Sequence, residues 1–200
     1  MRPFSPACER NREPILAVLE RWFGDRHAVL EIGSGTGQHA VHFAAALPQL
    51  AWHASDLPDR HAGIRAWMEQ AALPNLHGPH VLDVRDPDGW PGGPFDAVFS
   101  ANTLHIMHCP AVEALFGALP RVTTADALLV VYGPFKRDGR HTSESNRRFD
   151  AELRARDPGS GIRDQQAVHA LARAAGLLLR DEVAMPANNR CLVWQRDARR

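Results

Sequence analysis

The apolar run Val29-Leu30-Glu31-Ile32 ends in alternate glycines, Gly33, Gly35 and Gly37, and passes into a stretch of strong helix formers from Gln38 onward. Strand, glycine turn and helix in that order make a βα unit. Glycines at this spacing serve a backbone that takes φ > 0 or approaches a ligand closely. The turn then directs its amide groups toward whatever binds at the helix start.

The chain repeats the alternation. Residues 27–32, 50–55, 76–82, 95–100 and 127–132 read as strands, and 38–47, 60–72, 110–119 and 165–175 as helices. Residues 14–23 read as an N-terminal helix, with Pro14 in its first turn and Ile15, Leu19, Trp22 and Phe23 on its apolar stripe. The polar run before it, 8–13, is either a solvated approach or a lid. Two final strands, 177–184 and 190–195, flank a tight turn at 185–189 and close as an antiparallel hairpin. The expected architecture is a doubly wound, Rossmann-like, three-layer α/β/α fold with seven mostly parallel strands. The chain reads as one domain, 1–200, with 1–24 as helix or lid. Its polar insertion, 134–163, carries a helix near 147–156 and is expected to cover an acceptor site.

Composition excludes some partners. Lys+Arg and Asp+Glu balance at 23 each, so there is no broad electrostatic footprint for nucleic acid or an anionic membrane. Cys8, Cys109 and Cys191 show no pairing pattern and read as buried thiols in a reducing compartment. The N-terminus has no apolar signal region and no later segment is apolar enough to span a bilayer, which predicts a soluble cytoplasmic protein. The basic run 196–200 reads as a solvated tail. Oligomeric state is left open.

Several residues converge on the carboxyl edge of such a sheet. Asp56, at the tip of the second strand about twenty residues beyond the turn, is placed to accept from both hydroxyls of a ribose, with N-capping as the plainer role. Asp83 and the loop from Asn102 to His105 share that edge. The turn alone is ambiguous, because Gly35-Thr36-Gly37-Gln38-His39-Ala40 also fits the dinucleotide pattern. Glu31 tilts the choice, since an acid inside a strand end is costly unless it organises the loop or meets a cation, and a sulfonium cofactor supplies one. A nicotinamide enzyme would need hydride-transfer apparatus, and its one candidate, Tyr132-x-x-x-Lys136, is broken by Gly133-Pro134. No Lys-Ser/Thr follows the glycines as in a P-loop.

The motif Glu31-x-Gly33-x-Gly35-x-Gly37 resembles motif I of class I S-adenosylmethionine-dependent methyltransferases, and the order of elements resembles their seven-stranded sheet. That resemblance implies that Gly33, Ser34, Gly35 and Gly37 line the amino-acid part of the cofactor and that Asp56 with Leu57 holds the ribose. It further implies that Asp83 and Val84 flank the adenine, with Asn102 beside the methionine part. A narrower set of blocks resembles the methyltransferase-like 26 family, long described as a domain of unknown function. These are Glu9-Arg10-Asn11-Arg12-Glu13-Pro14-Ile15-Leu16, Asn102-x-x-His105-Ile106, Tyr132-Gly133-Pro134-Phe135, Ser145-Asn146-x-x-Phe149-Asp150, Gly161-Ile162-Arg163-Asp164 and Met185-Pro186-Ala187-Asn188-Asn189. Ser160 departs from the family pattern, which has tryptophan before the glycine, and this bears on how 157–163 packs.

Both resemblances imply methyl transfer from S-adenosylmethionine to a small molecule, with O-, S- and N-acceptors open. Such a reaction needs positioning and exclusion of water more than a strong acid. His105 is the candidate base, with helix capping as the alternative. Asn11, Arg12, Tyr132, Lys136, Asn146, Asp150 and Asn188 are candidates for substrate binding, with turn formation and capping as the alternative. His39 and His42 have a ligand-like spacing but no third partner, so no metal is expected. Two other functions stay open: a non-catalytic cofactor-binding regulator and a nicotinamide-dependent oxidoreductase.

Overall fold

A computed structural model describes residues 2–197. Its elements in chain order are α1 (Pro6–Phe23), β1 (Ala28–Ile32), α2 (Gln38–Ala46), β2 (Ala51–Asp56), α3 (His61–Ala71), β3 (Leu76–Val81), β4 (Phe95–Ala101), α4 (Cys109–Val122) and β5 (Thr123–Gly133). There follow β6 (Lys136–Arg137), β7 (Arg140–His141), α5 (Glu144–Arg156), α6 (Gln165–Ala174), β8 (Leu177–Met185) and β9 (Asn189–Arg196).

Seven strands form one sheet in the order β3-β2-β1-β4-β5-β9-β8. The first five are parallel, and β9 runs antiparallel between β5 and β8. The order reverses between β1 and β4, so a crevice opens there at the carboxyl ends of the strands. The short ribbon β6–β7 stands apart from the sheet.

Strand alternation sorts the core into two halves. Val29, Trp52, Phe99, Val130 and Val193 face α1, α2 and α3, meeting Ile15, Phe43 and Ile64. Leu30, Ile32, Val98, Val131 and Leu192 face α4 and α6, meeting Leu115, Phe116 and Val168. Fully burying each such side chain contributes roughly 1.5–3 kcal/mol, so the two halves fix the sheet's register and hold the crevice between them.

Three expectations need correction. The first helix starts eight residues before Pro14, at Pro6, capped by the Ser5 hydroxyl, which accepts from the Cys8 amide. Pro14 sits inside it; the packing of Ile15, Leu19 and Phe23 outweighs its missing amide donor. The run 8–13 is therefore helix rather than a solvated approach, and Asn11 within it is buried. The cysteines also divide: Cys191 is buried, Cys8 half-buried and Cys109 exposed. Of the basic C-terminal run, Arg196 ends β9 and donates to the carbonyls of Thr123 and Thr124, while 198–200 lie outside the described residues. No helix among the described residues is long and apolar enough to cross a membrane.

Candidate functional site

Between β1 and α2 the turn takes φ of +77° at Gly33, +59° at Gly35 and +88° at Gly37. A Cβ on Gly33 would stand 2.6 Å from the Thr103 side chain, and one on Gly37 would stand 3.0 Å from the Ile64 backbone of α3. Gly33 thus lets the turn press against the β4 loop, and Gly37 lets α2 seat against α3. Ser55 anchors the turn to β2: its carbonyl accepts from the amides of Gly33 and Ser34, and its hydroxyl donates to the Glu31 carbonyl at 2.6 Å.

Asp56 is fixed by backbone. Its Oδ2 accepts from the Gly35 amide and its Oδ1 from the Leu57 amide, each at 2.7 Å. Burial pushes its carboxyl up, against the two amides, which pull it down. Each oxygen keeps a lone pair for a further donor. Glu31 stands behind the turn, 2 % exposed, and accepts from Trp52 Nε1 at 3.0 Å. Burial pushes its carboxyl up to about 7, only partly offset by the Trp52 and Ser34 hydrogen bonds.

Above the turn lies a cavity of about 750 Å³, a size usual for small-molecule sites. Gly33, Ser34, Gly35, Asp56, Leu57, Asp83, Val84, Asn102 and His105 line it. Asn102, just past β4, adopts φ +57° and donates its amide to the Tyr132 carbonyl at 2.9 Å. Asp83 is paired with Arg85 at 2.6 Å, and that partner holds its carboxyl below the usual range. Glu31 and Gly37 stand behind the wall.

The seven candidates for substrate binding lie outside the lining. Asn11 Oδ1 is 2.7 Å from His39 Nε2, and Arg12 pairs with Glu9 at 2.6 Å. Tyr132 is buried, with Asn11 and Asn189 beside its hydroxyl. Lys136 and His141 each reach Asp150 Oδ2 at 2.9 Å, while Asp150 Oδ1 accepts from the Ile162 amide at 2.6 Å. Burial of Asp150 works against ionisation, but these partners hold its carboxyl far below the usual range. Asn146 donates to Thr142 Oγ1 and to the Asn188 carbonyl. This insertion therefore clamps itself together beside the cavity.

Residues that local sequence patterns do not reveal complete the wall. Ser5, Cys8 and His39 line it from the turn side, and Phe149, His108 and Asp157 from the far side. His39 is buried, and burial pushes its imidazole down to about 4. Segment 159–163 ties four successive carbonyls of the His105 loop: Arg163 binds those of Leu104 and Met107, the Gly161 amide that of His105, and the Ser160 hydroxyl that of Ile106. Ser160 thus packs by hydrogen bonding and is buried. Arg163 also reaches Cys109 Sγ at 3.1 Å. Among the described residues no group of three or more metal-ligating side chains is arranged to hold an ion.

Solved structures share this fold. An O-methyltransferase family protein from Burkholderia thailandensis superposes with a TM-score of 0.84 at 19 % identity, over 96 % of this chain and 57 % of that one. Mitomycin 7-O-methyltransferase gives 0.82 at 17 % identity, over 95 % and 54 %. An O-methyltransferase from neocarzinostatin biosynthesis, solved with S-adenosylmethionine and 2-hydroxy-5-methyl naphthoic acid, gives 0.76 at 17 % identity, over 94 % and 54 %. The chain spans little more than half the length of these proteins, and at such identities the likeness is one of fold. Over residues 2–196 the match is to a single family, and the chain belongs to it: the family described as "Protein of unknown function (DUF938)".

Proposed function

We propose that this chain binds S-adenosylmethionine in the cavity and passes its methyl group to a small-molecule acceptor through an O, S or N nucleophile. One observation carries the reading: a turn with φ > 0 at each of three glycines presses into the switch-point crevice, and its Gly35 amide fixes the Asp56 carboxylate there. The solved relatives of like fold, among them one bound to this cofactor, support it. The methyltransferase-like 26 blocks support a kinship with that family.

The residues fit the group. Asp56, with Leu57 beside it, would accept from the ribose hydroxyls, and Asp83 and Val84 would flank the adenine. Gly33, Ser34 and Gly35 would line the amino-acid part and Asn102 the methionine part. Glu31 and Gly37 would act from behind, setting the turn's shape and its seat on α3. The bound sulfonium supplies an electrophilic methyl group. The chain supplies a water-poor cavity, fixed orientation and, in His105, a base for the acceptor's proton. Lys136, Asn146, Asp150 and Asn188 would serve the acceptor end indirectly, by fixing the insertion beside it. Asn11, Arg12 and Tyr132 would serve the turn side, through His39 and α1.

Thermal unfolding with S-adenosylhomocysteine or NADH tests the reading. At about 100 times its dissociation constant a ligand adds about 2.7 kcal/mol, which raises Tm by roughly 5–10 °C in a chain of this size. We expect that rise with S-adenosylhomocysteine and none with NADH. The reverse result would transfer the site to a nicotinamide cofactor. Binding without turnover on any acceptor would make the protein a cofactor-responsive regulator.

A further inference from the structure

At the end of the cavity away from Asp56, the wall is made by Phe149, Ile106, Met107, Pro110 and Ala111 around His105. His105 is 5 % exposed, and its ring meets Phe149 edge-on at 5.3 Å between centroids. Among the described residues, no group hydrogen-bonds to either of its ring nitrogens. Its ring nitrogens are open to the cavity rather than sealed within the protein, so a ligand that displaces the water there must supply a hydrogen-bonding group in its place.

The ionisable side chains that line this end are already engaged by partners. His108 Nε2 lies 2.8 Å from Asp157 Oδ2, and Asp157 also accepts from the Ser160 hydroxyl and the Gly159 amide. Arg163 stands off the wall, and its guanidinium N–H groups are taken up by the carbonyls of Leu104, Met107 and Gly159, which leave it no donor for a ligand. An ionic acceptor entering here would lose its hydration and find no charged side chain of the wall free to bind it. A neutral one would not pay that penalty.

We infer that this end of the cavity binds an uncharged, mainly apolar molecule bearing one hydroxyl or thiol, and that His105 accepts the proton of that group. The inference rests on the methyl-transfer reading and narrows its acceptor. In the step, the acceptor's oxygen or sulfur bonds to the methyl carbon while the methyl–sulfonium bond breaks. The electron pair of the broken bond stays on the donor's sulfur, and the O–H or S–H proton goes to the imidazole, which releases it to solvent after product leaves. Burial, with Arg163 adding to it, pushes His105 down to about 4. It is therefore neutral and able to accept at pH 7, yet a weak base, so thiols and electron-poor phenols should react faster than alkyl alcohols.

The test is calorimetric binding of p-cresol, phenylmethanethiol, p-toluate and benzylammonium, with and without S-adenosylhomocysteine, to wild type and His105→Ala. We expect the two neutral probes to bind roughly tenfold more tightly than the ions, and His105→Ala to weaken the neutral probes severalfold while leaving the ions unchanged. Equal or tighter binding of either ion, or unchanged affinity of the neutral probes in His105→Ala, would overturn the inference. Should that variant misfold, the ring resonances of His105 in the wild type decide: they must move with p-cresol and stay with p-toluate. If p-cresol moves them while S-adenosylhomocysteine fails to bind, the acceptor subsite stands and the cofactor reading falls. If S-adenosylhomocysteine binds and p-cresol leaves His105 unmoved, the subsite falls alone.

Discussion

The two ends of the cavity are built by different means. At the turn end, backbone does the work: glycines with φ > 0 shape the loop, main-chain amides hold Asp56, and the residues involved lie within one βα unit and the next strand tip. At the His105 end, side chains from distant segments cap a loop that would otherwise leave its carbonyls bare, and Asp150 ties that capping segment to α5 and the β6–β7 ribbon. The first kind of construction tolerates almost no change of residue at the glycines. The second depends on a few buried ionic contacts and fails as a unit.

The largest effect should come from breaking the second end. Asp150 is buried with Lys136, His141 and Arg154 on one carboxylate oxygen, so Asp150→Ala leaves Lys136 and Arg154 without their counter-charge and the Ile162 amide without its acceptor. Removing one partner of a buried pair costs about 3–5 kcal/mol. Denaturant unfolding should show that loss, while the folded fraction keeps wild-type affinity for S-adenosylhomocysteine. A matching loss of cofactor affinity would mean that the two ends are not separate constructions.

Next comes the cost stored behind the turn. Glu31 has its carboxyl raised from 4.5 to about 7, worth about 3 kcal/mol at most. The folded state keeps the proton between those values while the unfolded chain has lost it, so this group makes stability fall as pH rises through that window, and its effect is level above it. His39 and His105, pushed down to about 4, act oppositely, raising stability as pH climbs from 4 to 6.5. Glu31→Gln isolates the acid: its stability relative to wild type should improve between pH 4.5 and pH 7.5. A difference constant with pH would show that Glu31 ionises freely in the folded protein.

Gly33→Ala should be smaller in stability and severe in binding. A left-handed backbone costs a side chain roughly 1–2 kcal/mol, and here the new Cβ also meets Thr103. We expect a loss of about 2 kcal/mol in denaturant unfolding together with loss of S-adenosylhomocysteine binding, whereas Gly35→Ala, whose Cβ meets nothing within 4 Å, should pay the backbone cost alone. Equal losses at the two positions would remove the close approach of the turn to Thr103 from the account.

This contrast also explains what could be read from the sequence. The turn, Asp56, the alternation of strands and helices and the closing hairpin follow from periodicity and from glycine spacing, which are local codes. The start of α1 was legible too, in Ser5-Pro6 as cap and first turn, but Pro14 competes for the same signal and only the packing of Ile15 and Phe23 decides between them. The far end was not legible. Arg163 reaches carbonyls 56 and 59 residues away, and Asp150 gathers Lys136 and His141 from the β6–β7 ribbon and the Ile162 amide from beyond α5. No period or spacing encodes such meetings. For the same reason the polar residues 132, 136, 146 and 150, which sequence reasoning offers as pocket lining, stand outside the cavity and brace its neighbours.

The central claim is that Asp56, held by backbone, is the anchor of an S-adenosylmethionine site. Calorimetric titration of S-adenosylhomocysteine into wild type and Asp56→Ala tests it most directly. Two charge-assisted hydrogen bonds to a ribose predict saturable binding to wild type and a weakening of roughly tenfold or more in Asp56→Ala, with the Tm of the unliganded variant within a few degrees of wild type. Absence of binding to wild type, or equal affinity in the two proteins, would contradict it.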